Sequence, residues 1–295
     1  QSSERRLNFA QSFNSVGAVI SPLLGRTFIL TGVEYTPAQL ALMSTAQIQS
    51  YRAEQAGTVK LPYLLMAAIF VVVAAAIYFT HLPDVVEEKE GSATIRPDAA
   101  GSILSHGHLT KGVIAQFFYV GAQVGVASFV IRFAQHTVPG MTQRVAAYYL
   151  LGHQIGFMTG RFAGSALMKI VNPARLLSVF AMGCLVSVLV ALMAHGIVPV
   201  WAVVLIGFFH SIMFPTIFAL GIKNLGPLTK RGSSLMVMAI IGGAVFPAIM
   251  GRISDASNIQ TAFTVPLICY VYILYYAIAG YKLSPLPDPE RVVAA

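Results

Sequence analysis

Residues 6–25 read RLNFAQSFNSVGAVISPLLG. Beyond Arg6 the stretch is uncharged and long enough to cross a bilayer, yet Asn8, Gln11, Ser12, Asn14 and Ser15 crowd its first half. An amide left without a partner in hydrocarbon costs about 2–7 kcal/mol, so such groups belong on a face turned toward protein or a watery cavity. At about 100° per residue, Asn8, Gln11, Asn14, Ser15, Ala18, Pro22 and Gly25 fall on one side of a helical wheel. Phe9, Phe13, Val16, Ile20, Leu23 and Leu24 fall on the other. The spacing predicts a two-faced helix, apolar toward lipid or neighbouring helices and amide-rich toward something wet.

Outward from this stretch, comparable lengths recur with far less polarity. Of the 295 residues 56% are apolar and only 10% charged, against roughly 25% charged in a soluble chain. Eight long, mostly uncharged runs stand at 7–30, 62–82, 111–133, 146–170, 176–195, 198–222, 233–251 and 262–281. The expectation is an all-α, polytopic membrane protein. An even number of spans puts both ends on one side. Twelve basic residues fall on that side and six on the other, so the positive-inside rule predicts cytoplasmic termini. The net charge of +8 reports topology and excludes a nucleic-acid partner, because the basic residues are scattered singly with no stripe to follow a phosphate backbone. Cys184 and Cys269 sit inside apolar runs as small hydrophobic fillers. Beginning at Gln1, the chain reads as a piece of something longer.

The most polar segment, HLPDVVEEKEGSATIRPDAAGSILSHGHLTK at 81–111, predicts a cytoplasmic linker. The connection at 31–61 carries PAQLALMSTAQIQSYRAEQAG, a helical pattern too polar to insert, expected on the outer surface. The domain division is therefore 1–82 as two helices of a first bundle, 83–110 as linker, 111–282 as a compact six-helix bundle and 283–295 as a cytoplasmic tail. Two helices, a linker and six more make sense if the parent has twelve in two halves, with eight of the twelve present here. The stretches RLNFAQSFNSVGA, FFYVGAQVGVASFVIRFA, VPGMT, GRFAG, FPTIFALGIKNLG and TKRGSSLMVMAIIGGAVFPAIMGRISDA run over nearly the whole chain. In these the chain resembles the fucose:proton symporter family of the major facilitator superfamily. The resemblance implies a sugar:proton symporter working by alternating access in a bacterial inner membrane, as a monomer without a cofactor. It also implies that the eight spans are the family's helices five to twelve.

Candidate residues follow from pattern and from resemblance. Gln11 and Asn14, at i and i+3 on the wet face, offer donors and acceptors that suit a polyhydroxylated ligand, with interhelical bonding as the alternative. The resemblance implies that they match sugar-site amides. In the third span Gln116, Tyr119 and Gln123 form a polar stripe, and Gln123, near mid-span, is the better candidate for lining a cavity. Gly152, Gly156, Gly160 and Gly164 make a small-residue ridge for close helix approach. Phe157 is expected at the sugar only through the resemblance. Phe214-Pro215 predicts a break in the sixth span, where transporters place sites; the family has tyrosine where this chain has Phe214. Arg161, within a span, is expected either to snorkel or to latch the two bundles. His153 and His210 are packed neutral rings or a proton relay. His106 and His108 lack partners at metal spacing, so no metal site is expected.

All eleven acidic residues fall in termini, loops or linker and none in a predicted span. A membrane-embedded enzyme would need paired carboxylates, an activated nucleophile or a metal constellation within the spans, and the sequence offers none. The resemblance implies that the coupling Asp and Glu belong to helices one and four, outside this chain. The expected ligands are a sugar and a proton, with L-fucose first; a glucose/galactose or N-acetylglucosamine permease and a transport-inactive fragment are the alternatives.

Overall fold

A computed structural model describes residues 16–29, 35, 37–80 and 103–283. Among the described residues every regular element is helical. Gln11 and Asn14, residues 81–102 of the expected linker and the tail from 284 lie outside them. The first described helix, α1, is Val16–Ile29 and widens into a π-turn over Gly25–Ile29. Its two faces divide as the pattern predicts. Val16, Ile20, Leu23 and Leu24 are 41–50% exposed on the outer face, while Pro22 is buried on the inner one.

A short helix α2, Pro37–Ala41, precedes α3, Thr45–Phe79. Here the expectation of a separate surface helix followed by a span at 62–82 is corrected, because α3 is one 35-residue helix running through Pro62. A reciprocal capping box starts it: the Gln47 backbone N–H donates to the Ser44 hydroxyl and the Ser44 N–H to the Gln47 side chain. At 1.5 Å per residue α3 is about 52 Å long, well beyond a ~30 Å hydrocarbon core. Its polar first third, including exposed Glu54, is therefore helical outside the apolar stretch, which itself is unburied within the described residues. Asp255 likewise joins the last turn of a helix rather than a loop, and is exposed.

The bundle comprises α4 (Gly107–Thr137), α5 (Gln143–Leu167), α6 (Pro173–Met193), α7 (Val198–His210), α8 (Met213–Gly221), α9 (Thr229–Met238), α10 (Gly242–Ala256) and α11 (Thr264–Tyr275). Side-chain caps at Thr142 and Asn172 begin α5 and α6, the latter with Pro173 in its first turn. Helix α4 starts four residues earlier than the linker boundary at 110 expects. Buried His108 explains why: its Nε2 lies 2.9 Å from the Lys223 carbonyl just past α8, tying this first turn to the bundle. At the opposite end the Gln260 amide reaches the carbonyls of Ala191, Leu192 and Ala194 at 2.8–3.1 Å, satisfying orphan acceptors where α6 ends.

Helix α4 runs through the centre, packed by α5, α7, α8, α10 and α11. Tyr119, Phe133, Tyr270, Phe263 and Tyr276 are fully buried around it. The α5 glycine ridge meets α7 as its spacing predicts: a Cβ on Gly160 would collide with the Phe208 carbonyl and lie 2.6 Å from the Ser211 hydroxyl. Gly160→Val should therefore destabilise the bundle by about 1–3 kcal/mol through overpacking. Gly251→Ala, which meets nothing within 4 Å, should leave stability unchanged or raise it slightly. Thermal unfolding in detergent checks both, and equal midpoints for Gly160→Val and the parent would contradict the packing.

Candidate functional site

The sixth span is broken into α7 and α8, which meet at 41°. The break lies one turn before Pro215, at Ser211 and Ile212, and the chemistry of proline accounts for its place. Pro215 has no N–H, so the carbonyl four residues earlier, Ser211, loses its helical donor, while proline itself is tolerated in the first turn of α8. Two other helices supply what the break lacks. From α4 the Tyr119 hydroxyl donates to the His210 carbonyl at 3.0 Å. From α5 the Arg161 Nε donates to the Ser211 carbonyl at 3.3 Å, its guanidinium carbon lying 4.8 Å from the centre of the Phe157 ring.

Behind the break, His210 Nε2 is 2.7 Å from the Tyr270 hydroxyl, and its ring meets His153 edge-on at 6.1 Å. No hydrogen bond joins the two imidazoles. His153 instead uses Nδ1, 3.0 Å from the Val203 carbonyl of α7. Phe214 is half-buried, its ring 6.3 Å from that of Tyr119 and stacked on Phe218.

A cavity of about 580 Å³ opens where α1, α4 and α5 converge. Helix α1 contributes its inner face, Ser21, Pro22, Gly25 and Arg26; α4 contributes Gln123 and Ser128; α5 contributes His153, Gln154 and Phe157. The structure thus brings together Gln123, Phe157 and His153 of the expected residues, and places Phe214, His210 and Arg161 outside this lining. The stripe on α4 divides. Gln123 is half-buried on the cavity, whereas Gln116 and Tyr119 are fully buried within the bundle. Both amide atoms of Gln116 are without a hydrogen-bond partner among the described residues. Gln154 and Arg26 were missed in the sequence. The signal for Gln154 was its position three residues before Phe157, on the same helix face; Arg26 looked like a loop charge, yet it anchors α1. Its Nε donates to the Arg144 carbonyl at 3.2 Å and its guanidinium lies 4.1 Å over the Tyr148 ring. Residues 99–254, which supply α4 to α9 and most of α10, contain no Asp or Glu.

Long apolar helices, a span broken between α7 and α8 and a cavity between helices define an all-α, polytopic membrane protein. The chain belongs to the Major Facilitator Superfamily, the family that matches residues 2–245. It is 39% identical to the L-fucose-proton symporter of Escherichia coli over 92% of its length, and 37% identical to the glucose/galactose transporter of Brucella abortus over 94%. It spans 63% of the length of each of these relatives. A crystal structure of the E. coli fucose:proton symporter matches with a TM-score of 0.68 at 38% identity, over 95% of this chain and 69% of that one.

Tyr119→Phe should cost about 1–3 kcal/mol, because it leaves the His210 carbonyl buried without a donor. The check is the thermal midpoint of the purified variant in detergent; an unchanged midpoint would show that the hydroxyl does not hold the break.

Proposed function

We propose that the protein is a proton-coupled sugar permease that imports a hexose or deoxyhexose, L-fucose first, by alternating access. The observation that carries this reading is the cavity. Its volume falls within the ~300–1,000 Å³ of small-molecule sites, and its wall combines the Gln123 and Gln154 amides and the His153 imidazole with the Phe157 ring. Amides offer both donors and acceptors to hydroxyls, and an aromatic ring covers the apolar face of a pyranose. Gln11 and Asn14 fall on the wheel face that includes Pro22 and Gly25, so on this reading they extend the site beyond α1's described turns. Phe214, outside this lining and packed on Tyr119 and Phe218, is assigned to a part of the site beyond the cavity. Proton coupling is assigned to carboxylates outside residues 99–254, where the chain has none. The proposed architecture takes 1–82 as helices of one bundle, 83–106 as linker, 107–282 as the second bundle, whose first helix begins at Gly107, and 283–295 as tail, in a monomer of the bacterial inner membrane with both termini cytoplasmic.

Relatives named for glucose and galactose are 35–37% identical to this chain and those named for fucose 39% and 30%, which favours a glucose/galactose permease as the second reading. Uptake of radiolabelled L-fucose, galactose and glucose into cells producing the full-length parent, with and without an uncoupler, separates the two. Accumulation that collapses with the uncoupler is expected, and the preferred sugar decides between the readings. Absence of accumulation for all three would overturn both.

Within that assay Gln11→Ala, Asn14→Ala and Gln123→Ala should each weaken sugar affinity by roughly 2–13-fold, the worth of one hydrogen bond, while leaving membrane insertion intact. Unchanged affinity in all three would remove the amides from the site. Phe214→Tyr, which adds one hydroxyl, should change the order of preference among competing hexoses more than it changes expression; identical competition profiles would remove Phe214 from the site.

A further inference from the structure

We propose that His153 contacts the sugar directly, accepting a hydrogen bond from one ring hydroxyl through Nε2 and so setting which hydroxyl configuration the site prefers. The inference rests on the sugar-transport reading above and adds a specificity-determining residue to it. The argument begins with the Val203 carbonyl. A carbonyl oxygen only accepts, so Nδ1, 3.0 Å away, must carry a proton. In a neutral imidazole the remaining lone pair is then on Nε2. A doubly protonated ring would need a counter-charge, and residues 99–254 contain no Asp or Glu, while the nearest imidazole, His210, lies edge-on at 6.1 Å.

The ring is also held in place. Gly207 lies opposite it, where a Cβ would sit 3.0 Å from His153 Cγ and collide with the His153 carbonyl, so only glycine lets α7 approach closely enough for the Val203 bond. His153 is 1% exposed and stands in the cavity wall. Its Nε2 has no partner among the described residues and is not sealed in the interior, in contrast to His210 Nδ1. The result is an acceptor of fixed identity and direction at the cavity edge. Gln123 and Gln154 can turn their amides to offer either a donor or an acceptor; His153 cannot. A site built around such a group rejects a ligand that lacks the matching hydroxyl, because the acceptor is then desolvated with nothing in return.

The test is a cycle between protein and ligand. The transported hexose and its series of monodeoxy derivatives are bound to the purified protein, to His153→Phe and to His153→Gln, by equilibrium dialysis. One derivative should bind the parent protein roughly three- to tenfold more weakly than the intact sugar, the worth of one neutral hydrogen bond. His153→Phe should weaken the intact sugar by the same factor and that derivative no further. His153→Gln, which retains a donor for Val203 and an acceptor for the ligand, should restore part of the discrimination. Uniform weakening of every derivative by His153→Phe overturns the contact and leaves the transport reading intact. Failure of the parent protein to bind any hexose overturns the transport reading and this inference with it. If His153→Phe does not reach the membrane, His153→Gln carries the comparison: a diminished loss for one derivative supports the contact, and a derivative profile identical to that of the parent overturns it.

Discussion

A peptide carbonyl stranded in hydrocarbon has no water to turn to, and the Ser211 carbonyl is stranded by the ring of Pro215. Each unsatisfied backbone group at that depth costs several kcal/mol, so the break between α7 and α8 exists only because other helices bring donors to it. Arg161 comes from α5 and Tyr119 from α4. A charged donor is stronger than a neutral one, which gives Arg161 a structural reason to lie inside a span. The requirement spreads through the bundle. Helix α5 must lie against the break, and the small residues Gly160 and Gly164 allow it to; α4 must pass close enough for a phenol to reach the His210 carbonyl; α11 closes the far side through Tyr270 on His210. The centre of the bundle is thus a polar junction wrapped in aromatic rings.

The cavity lies beside this junction and shares its parts. Phe157 lines the cavity and also carries the Arg161 guanidinium on its ring. His153 lines the cavity and is bonded to α7 through Val203. A shift of α7 relative to α5 would therefore be felt at the cavity wall, and a ligand pressing on that wall would be felt at the break. In alternating access, a differential contact of this kind is what allows a substrate to favour one orientation over another. Arg26 joins α1 to the start of α5 at one end of the cavity, tying the first described helix to the bundle where the π-turn widens it.

Much of this architecture was legible in the chain. Runs of apolar residues must be helical in a bilayer, so spans, their order and the break near Pro215 follow from composition and from the chemistry of one imino acid. The two faces of α1 and the glycine ridge of α5 follow from a 3.6-residue period. Where pattern failed, the reason was local. The helical pattern of the connection at 31–61 read as apart from the span at 62–82 because hydropathy marks where a chain enters lipid, not where its hydrogen bonding stops; α3 runs from Thr45 straight through Pro62. The α4 stripe read as one surface because Gln116, Tyr119 and Gln123 share a face, but a face of a central helix looks onto different neighbours at different heights.

What the sequence by itself determined is the set of helices and the side of each that carries amides, small residues or apolar bulk, since these depend only on covalent spacing and transfer energy. Which of those groups meet was decided by the tertiary structure. No spacing rule joins Tyr119 to His210, Arg161 to Ser211 or His153 to Val203, for each pair is separated by 50 or more residues. The tautomer of His153 is settled only there as well. A histidine ring in isolation can carry its proton on either nitrogen, and a carbonyl placed beside Nδ1 by a neighbouring helix leaves it one choice.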